Sequence, residues 1–159
     1  ATAQRSLGTA QFDASLDALA GQVATSLKLD RNRLLAAWRA ADIEHQKAVV
    51  AALTQVGVPY RRNTSKPGVG FDCSGLTTFA WSHAGYQLYR QSAVQIRNSA
   101  PRTRATAQAG DLVYYPGHIM MYLGTDNAVV HAPFTGRNVD VSFISKKRVN
   151  TVRWGDPTG

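Results

Sequence analysis

The chain has a single cysteine, Cys73, so no internal disulfide can form and the thiol stays available for chemistry. Cysteine usage therefore leaves the redox compartment open. Long apolar runs are also missing: none approaches the roughly 20 residues of a membrane-spanning helix, and a soluble protein is expected. Acidic residues are scarce, 10 against 18 lysines and arginines, and the net charge of +8 favours an anionic partner through long-range attraction. The cations are scattered over Arg31, Arg33, Arg61, Arg62, Lys66, Arg90, Arg97, Arg102, Arg104 and Lys146 to Arg148. They form no stripe interleaved with aromatics, so no nucleic acid partner is expected. Metal motifs of the H-E-x-x-H or C-x-x-C kind are absent, and Gly68, Gly70 and Gly75 match neither phosphate-binding glycine pattern. No metal and no other cofactor is expected. Internal repeats and low-complexity segments are absent too, and Ala1 to Ser6 lacks the charged-then-apolar pattern of a secretory leader.

What is present begins with helices. Phe12, Leu16, Leu19, Val23 and Leu27 form an amphipathic stripe that predicts a helix over 12–28, capped by Asp13 or Ser15. Asp30 offers an N-cap to a second helix carrying Leu34, Leu35 and Trp38. A third runs from Asp42 through Val49, Val50 and Leu53 to a stop at Gly57-Val58-Pro59. A boundary near residue 41 divides an N-terminal helical extension, 1–41, from the remaining domain, 42–159. Turn chemistry over Asn63 to Gly68 leads to a helix from Cys73 to Ala84, closed by Gly85. From residue 110 onward, β-type runs at 112–115, 118–123, 128–132, 139–143 and 149–154 alternate with turns. Helices followed by an antiparallel meander give an α+β fold with the helices on one face of the sheet.

Cys73 opens a helix, where unpaired N–H groups and the helix dipole favour thiolate over thiol. A turn centred on Thr125-Asp126 pairs residues whose numbers sum to 251, which sets Met120 opposite His131. His118 then shares a face with His131, provided the register does not slip. Cys73, His118 and His131 fit a nucleophile, its base and the group that orients the base, with the N–H groups of Cys73 and Ser74 as oxyanion donors. A buried inert thiol beside two satisfied strand histidines is the alternative for the same residues. His45 and His83 have no comparable partners in the sequence and are taken as surface or structural residues.

Several segments taken in order carry a further meaning: Gly57 to Tyr60, Phe71-Asp72-Cys73-Ser74-Gly75-Leu76, Arg90 to Gln95, Ala109 to Tyr115, Gly117 to Gly124, and Val130-His131-Ala132. In these the chain resembles the NlpC/P60 family of cell-wall cysteine peptidases, with a papain-like α+β core, over about residues 42–154. The resemblance implies a secreted or envelope-located, monomeric peptidoglycan hydrolase that acts on stem peptides. It would cleave the D-glutamyl–meso-diaminopimelate amide bond through an acyl-enzyme on Cys73, with His118 as base and His131 as its orienting partner. By the same resemblance Tyr60 and Asp72 line the substrate groove, Asp72 as partner for a free peptide amine, while Ser74 and the loop from Arg90 to Ser92 position the peptide. Asp72 as a plain helix cap and Tyr60 as a turn residue are the structural alternatives. Where the family often has an aromatic and a Gly-Gly pair, this chain has Arg61-Arg62-Asn63-Thr64, giving a more cationic groove wall. Two other functions fit the same residues: a peptidoglycan-binding or regulatory module with an occluded groove, and a thiol amidase or acyltransferase acting elsewhere.

Overall fold

The computed structural model describes residues 2–159. Three helices come first: α1 (Thr2–Leu27), α2 (Arg31–Ala40) and α3 (Ile43–Leu53). α1 starts well before the expected residue 12, so Asp13 and Ser15 lie inside the helix rather than at its cap. The preceding residues contain no proline, and helix-forming alanine, glutamine, arginine and leucine carry the helix past the apolar stripe that predicted it. Asp30 caps α2 as expected, its side chain accepting the Arg33 N–H at 2.9 Å.

A two-stranded hairpin, β1 (Ser65–Lys66) with β2 (Gly70–Phe71), replaces the plain turn expected there and leads into α4 (Cys73–Ser82). α5 (Ser92–Arg97) and β3 (Ala100–Arg102) follow, then β4 (Leu112–Tyr115), β5 (His118–Tyr122), β6 (Ala128–His131), β7 (Asp140–Phe143) and β8 (Arg153–Asp156). The six-stranded sheet has the order β3-β8-β4-β5-β6-β7, with every neighbouring pair antiparallel. β4 to β7 form the expected meander. β8 departs from it, crossing back to pair with β4 and β3. The predicted strand over 149–154 is largely a turn, because Val149 and Val152 make local bonds to Ser145 and Arg148.

One face of the sheet packs Leu112, Ile119, Met121, Ala128, Val130 and Val141 against the helices, and Leu16, Leu34, Trp38, Val49, Leu76 and Trp81 belong to that same cluster. The opposite face is a smaller cluster of Val113, Met120, Tyr122, Val129, Ile144 and Trp154, covered by connecting segments. α2 joins the sheet directly: the Trp38 indole donates to the Leu123 carbonyl at 2.9 Å, and Arg33 pairs with Asp126 in the β5–β6 turn. No helix among the described residues is long and apolar enough to cross a membrane.

Candidate active site

Cys73 occupies the first residue of α4, and the local sequence explains the start of that helix. Asp72 is the N-cap, with Oδ1 accepting the Gly75 N–H at 2.7 Å. Gly75 is required by a close approach, since a Cβ there would lie 2.2 Å from the Thr64 carbonyl oxygen. The Asp72 N–H and the Ser65 hydroxyl tie the same segment to α4 through Thr64 O and Gly75 O.

Arg90 clamps this first turn. Its guanidinium lies 2.9 Å from the Asp72 carboxylate and donates to Ser74 Oγ at 2.8 Å. Gln95, buried in α5, completes the support: it accepts from Thr77 Oγ1 at 2.6 Å and donates to the carbonyls of Ser74 and Tyr89. Its positioning role is absent from the sequence reading, although the Arg90 to Gln95 segment was the signal available. Asp72, Ser74, Arg90 and Ser92 line one cleft of about 380 Å³ together with Asn63 and Gln91. Tyr60 is half-buried close to Cys73 and Asp72, whose charges join burial in raising its phenol above the usual range. The Asp72 carboxylate is thus already occupied by a helix N–H and a guanidinium.

The histidines meet as the register requires. Met121 pairs with Val130 and Tyr122 with Val129, both summing to 251. His118 Nε2 lies 2.8 Å from His131 Nδ1, and His131 Nε2 lies 3.0 Å from Ser142 Oγ on β7. Ser142 is a member of the array that the sequence did not reveal. α4 packs against β5, and the Ile119 N–H, on the residue that follows His118, is among the groups that favour the Cys73 anion. Among the described residues no hydrogen bond joins the thiol to an imidazole in this resting geometry; apo sites often tighten only with substrate.

Charge at the site differs from the helix-dipole expectation. Burial pushes the Cys73 thiol up and the Asp72 carboxylate adds to this, outweighing the N–H groups of Ile119, Ser74 and Cys73 itself. Burial, reinforced by His131, lowers His118 to about 4, and burial with the Arg137 charge lowers His131 to about 4. The resting site at neutral pH therefore holds a thiol and neutral imidazoles, not a thiolate–imidazolium pair.

His83 is exposed and packs edge-on to Phe79. His45 does have partners, contrary to the sequence reading. Fully buried, its Nε2 sits 2.9 Å from Asp111 Oδ1 and 3.2 Å from Asp156 Oδ1. Burial alone would lower His45, but these carboxylates prevail and raise it. This trio is the set of described residues that brings metal-ligand atoms together. Its spacings are those of hydrogen bonds, and Arg102 occupies the other oxygen of Asp156, so the trio is an ion-pair knot centred on His45 Nε2, while the buried Nδ1 has no hydrogen-bond partner among the described residues.

The profile of the NlpC/P60 family matches residues 57–156. A probable endopeptidase of Corynebacterium glutamicum is 35% identical over 128 residues, covering 79% of this chain and 60% of that protein. The chain spans less than two thirds of the length of the curated relatives it matches, 37% of one and 60% of another. Among solved structures, the peptidoglycan hydrolase RipB of Mycobacterium tuberculosis aligns with a TM-score of 0.63 and 24% identity, over 94% of this chain and 84% of that one. At that identity the likeness concerns the fold, and it includes the N-terminal helices. RipD of the same organism, a non-catalytic NlpC/p60 domain protein adapted to peptidoglycan binding, aligns with a TM-score of 0.59 and 25% identity, over 72% of this chain and 98% of that one.

Proposed function

Because the chain belongs to the NlpC/P60 family, we propose that it is a cysteine endopeptidase of the bacterial cell envelope that hydrolyses peptidoglycan stem peptides. The bond we assign is the amide between D-glutamate and meso-diaminopimelate. The observation that carries this reading is the capped helix start that sets the Cys73 thiol beside the strand bearing His118, which is hydrogen-bonded to His131 at 2.8 Å. No residue from a second chain is invoked, so a monomer suffices.

In this mechanism His118, neutral at rest, takes the thiol proton on Nδ1 as Sγ attacks the scissile carbonyl. The tetrahedral oxyanion is held by main-chain N–H groups at the start of α4. Collapse breaks the amide, and His118 gives its proton to the leaving amine. Water, deprotonated by the same ring, then releases the acyl group from Cys73 as a carboxylic acid. His131 holds the angle and tautomer of His118 throughout, a task that requires its second nitrogen to be anchored as well. Arg90, Ser74 and Ser92 line the cleft that would receive the peptide, and Tyr60 lies close to the thiol. A peptide amine recruited by Asp72 has to share that carboxylate with Arg90.

The test is digestion of purified muropeptides under reducing conditions, with products identified by mass spectrometry. The intact protein should release fragments ending in D-glutamate, and Cys73→Ala should release none. If neither protein releases fragments and both co-sediment with peptidoglycan, the chain is a binding module, the behaviour described for RipD, and the hydrolase reading fails. Products cut at another bond would retain the thiol chemistry and reject the assigned substrate.

A further inference from the structure

The hydrogen-bond array does not stop at the second histidine. Ser142, half-buried in the middle of β7, sits opposite Val129 in the β6–β7 ladder, and its Oγ lies 3.0 Å from His131 Nε2. Asp140 is the residue opposite His131 in that ladder, yet its carboxylate is turned to its own strand, accepting the Val141 N–H at 2.8 Å, and the residue is exposed. A neutral hydroxyl, not a carboxylate, therefore terminates the array.

Two proton arrangements satisfy these bonds. In one, His118 Nε2–H donates to His131 Nδ1 and His131 Nε2–H donates to Ser142 Oγ, leaving His118 Nδ1 with a free lone pair. In the other every proton points the opposite way: the serine O–H donates to His131, His131 Nδ1–H donates to His118, and His118 carries its proton on Nδ1. Only the first arrangement can receive the thiol proton without prior rearrangement. When His118 becomes an imidazolium it must donate through Nε2, which requires His131 Nδ1 to accept and His131 Nε2–H to find an acceptor.

We propose that Ser142 is a positioning residue of this site: its Oγ accepts the Nε2–H of His131, which fixes the tautomer of His131 and, through it, keeps Nδ1 of His118 free to act as base. This deepens the peptidase reading and rests on it for its catalytic meaning. Its hydrogen-bond content stands apart from the identity of the substrate. Ending on a hydroxyl also suits the low basicity of both rings, since a carboxylate at this place would favour a charged His131.

The test compares Ser142→Val with Ser142→Thr, a pair of the same shape and the same β-branched strand preference that differ in the oxygen. In ¹⁵N-histidine-labelled protein at pH 7, the wild type and Ser142→Thr should show His131 protonated at Nε2 and His118 unprotonated at Nδ1. Ser142→Val should show mixed tautomers at both rings. Alkylation of Cys73, which needs no substrate, should slow by about tenfold in Ser142→Val and recover in Ser142→Thr. On muropeptides the same loss should fall on kcat with KM unchanged. Ser142→Ala serves in place of valine if the larger side chain prevents folding. An Nε2-protonated His131 together with wild-type alkylation in the hydroxyl-free variant overturns the proposal. If no variant, wild type included, cleaves muropeptides, the peptidase reading fails, while the spectra and alkylation rates still decide the role of Ser142.

Discussion

At Cys73 two opposing influences meet, and their balance decides how the residue can work. The N–H groups of the helix start and of the strand favour the anion, whereas burial and the adjacent carboxylate of Asp72 favour the thiol. The thiol prevails, so activation depends on a base that is already unprotonated. His118 and His131, lowered to about 4 from 6.5, meet that need over most of the pH range. The acid limb of kcat/KM should accordingly fall near pH 4, well below the range of a free imidazole, and a rate profile against a small muropeptide measures it directly. A limb at 6 to 7 would contradict this assignment. The same rings affect folding. Their folded values lie below the unfolded one, so the unfolded chain binds more protons between about 6.5 and 4. Stability from these rings is complete above the unfolded value and declines as the pH falls through that window. Urea midpoints of wild type and His118→Asn across it should show a shallower decline in the variant. His45 acts with the opposite sign: its raised value means that its contribution is present at low pH and lost as the pH rises through the folded value.

α4 and the β5–β6 hairpin are the two elements that bring the site together, and they differ in how far the sequence reveals them. The hairpin was legible because a turn of fixed centre determines the pairing, and the pairing determines which rings share a face; His118 and His131 follow with no tertiary information. The capped start of α4 was legible from Asp72, Cys73 and Gly75 for a similar, local reason. α5, β3 and β8 were not: the six residues of α5 are too few to show a helical period, and β8 crosses back along the chain to pair with β3 and β4 without a local turn to announce it. Ser142 illustrates the limit at one position: a lone hydroxyl in a strand gives no pattern until the neighbouring strand presents a ring to it. His45 shows the same, its partners Asp111 and Asp156 lying beside β4 and on β8 respectively. The Arg90 clamp on α4 leads to a paired prediction at this scale. Asp72→Asn keeps a capping side chain and removes a charge that pushes the thiol up, so the pH midpoint for Cys73 alkylation should move down. Arg90→Ala frees the Asp72 charge, so the midpoint should move up, and kcat/KM should fall by about tenfold or more as the first turn of α4 loses its tie. Midpoints moving in the same direction would show that charge is not the link.

At the scale of the whole molecule, the N-terminal helices share the core of the sheet. Leu16, Leu34 and Trp38 are fully buried within the cluster that also holds Ile119 and Val130. Loss of a single large core side chain costs about 2–5 kcal/mol, so removal of residues 1–40 should unfold or aggregate the remainder instead of unmasking activity. Circular dichroism and gel filtration of the truncated protein measure this; a folded and more active product would assign the helices the role of a cover. The surplus of eight positive charges acts over distances at which no contact is made. It affects how the molecule approaches an acidic polymer, an effect that salt weakens.

The indole of Trp38 has a consequence beyond packing. Its bond to Leu123 anchors the chain immediately after the strand bearing His118. α2 therefore cannot be displaced without tugging the ribbon that carries both imidazoles, and the aim of the base is tied to a helix far from it in the chain.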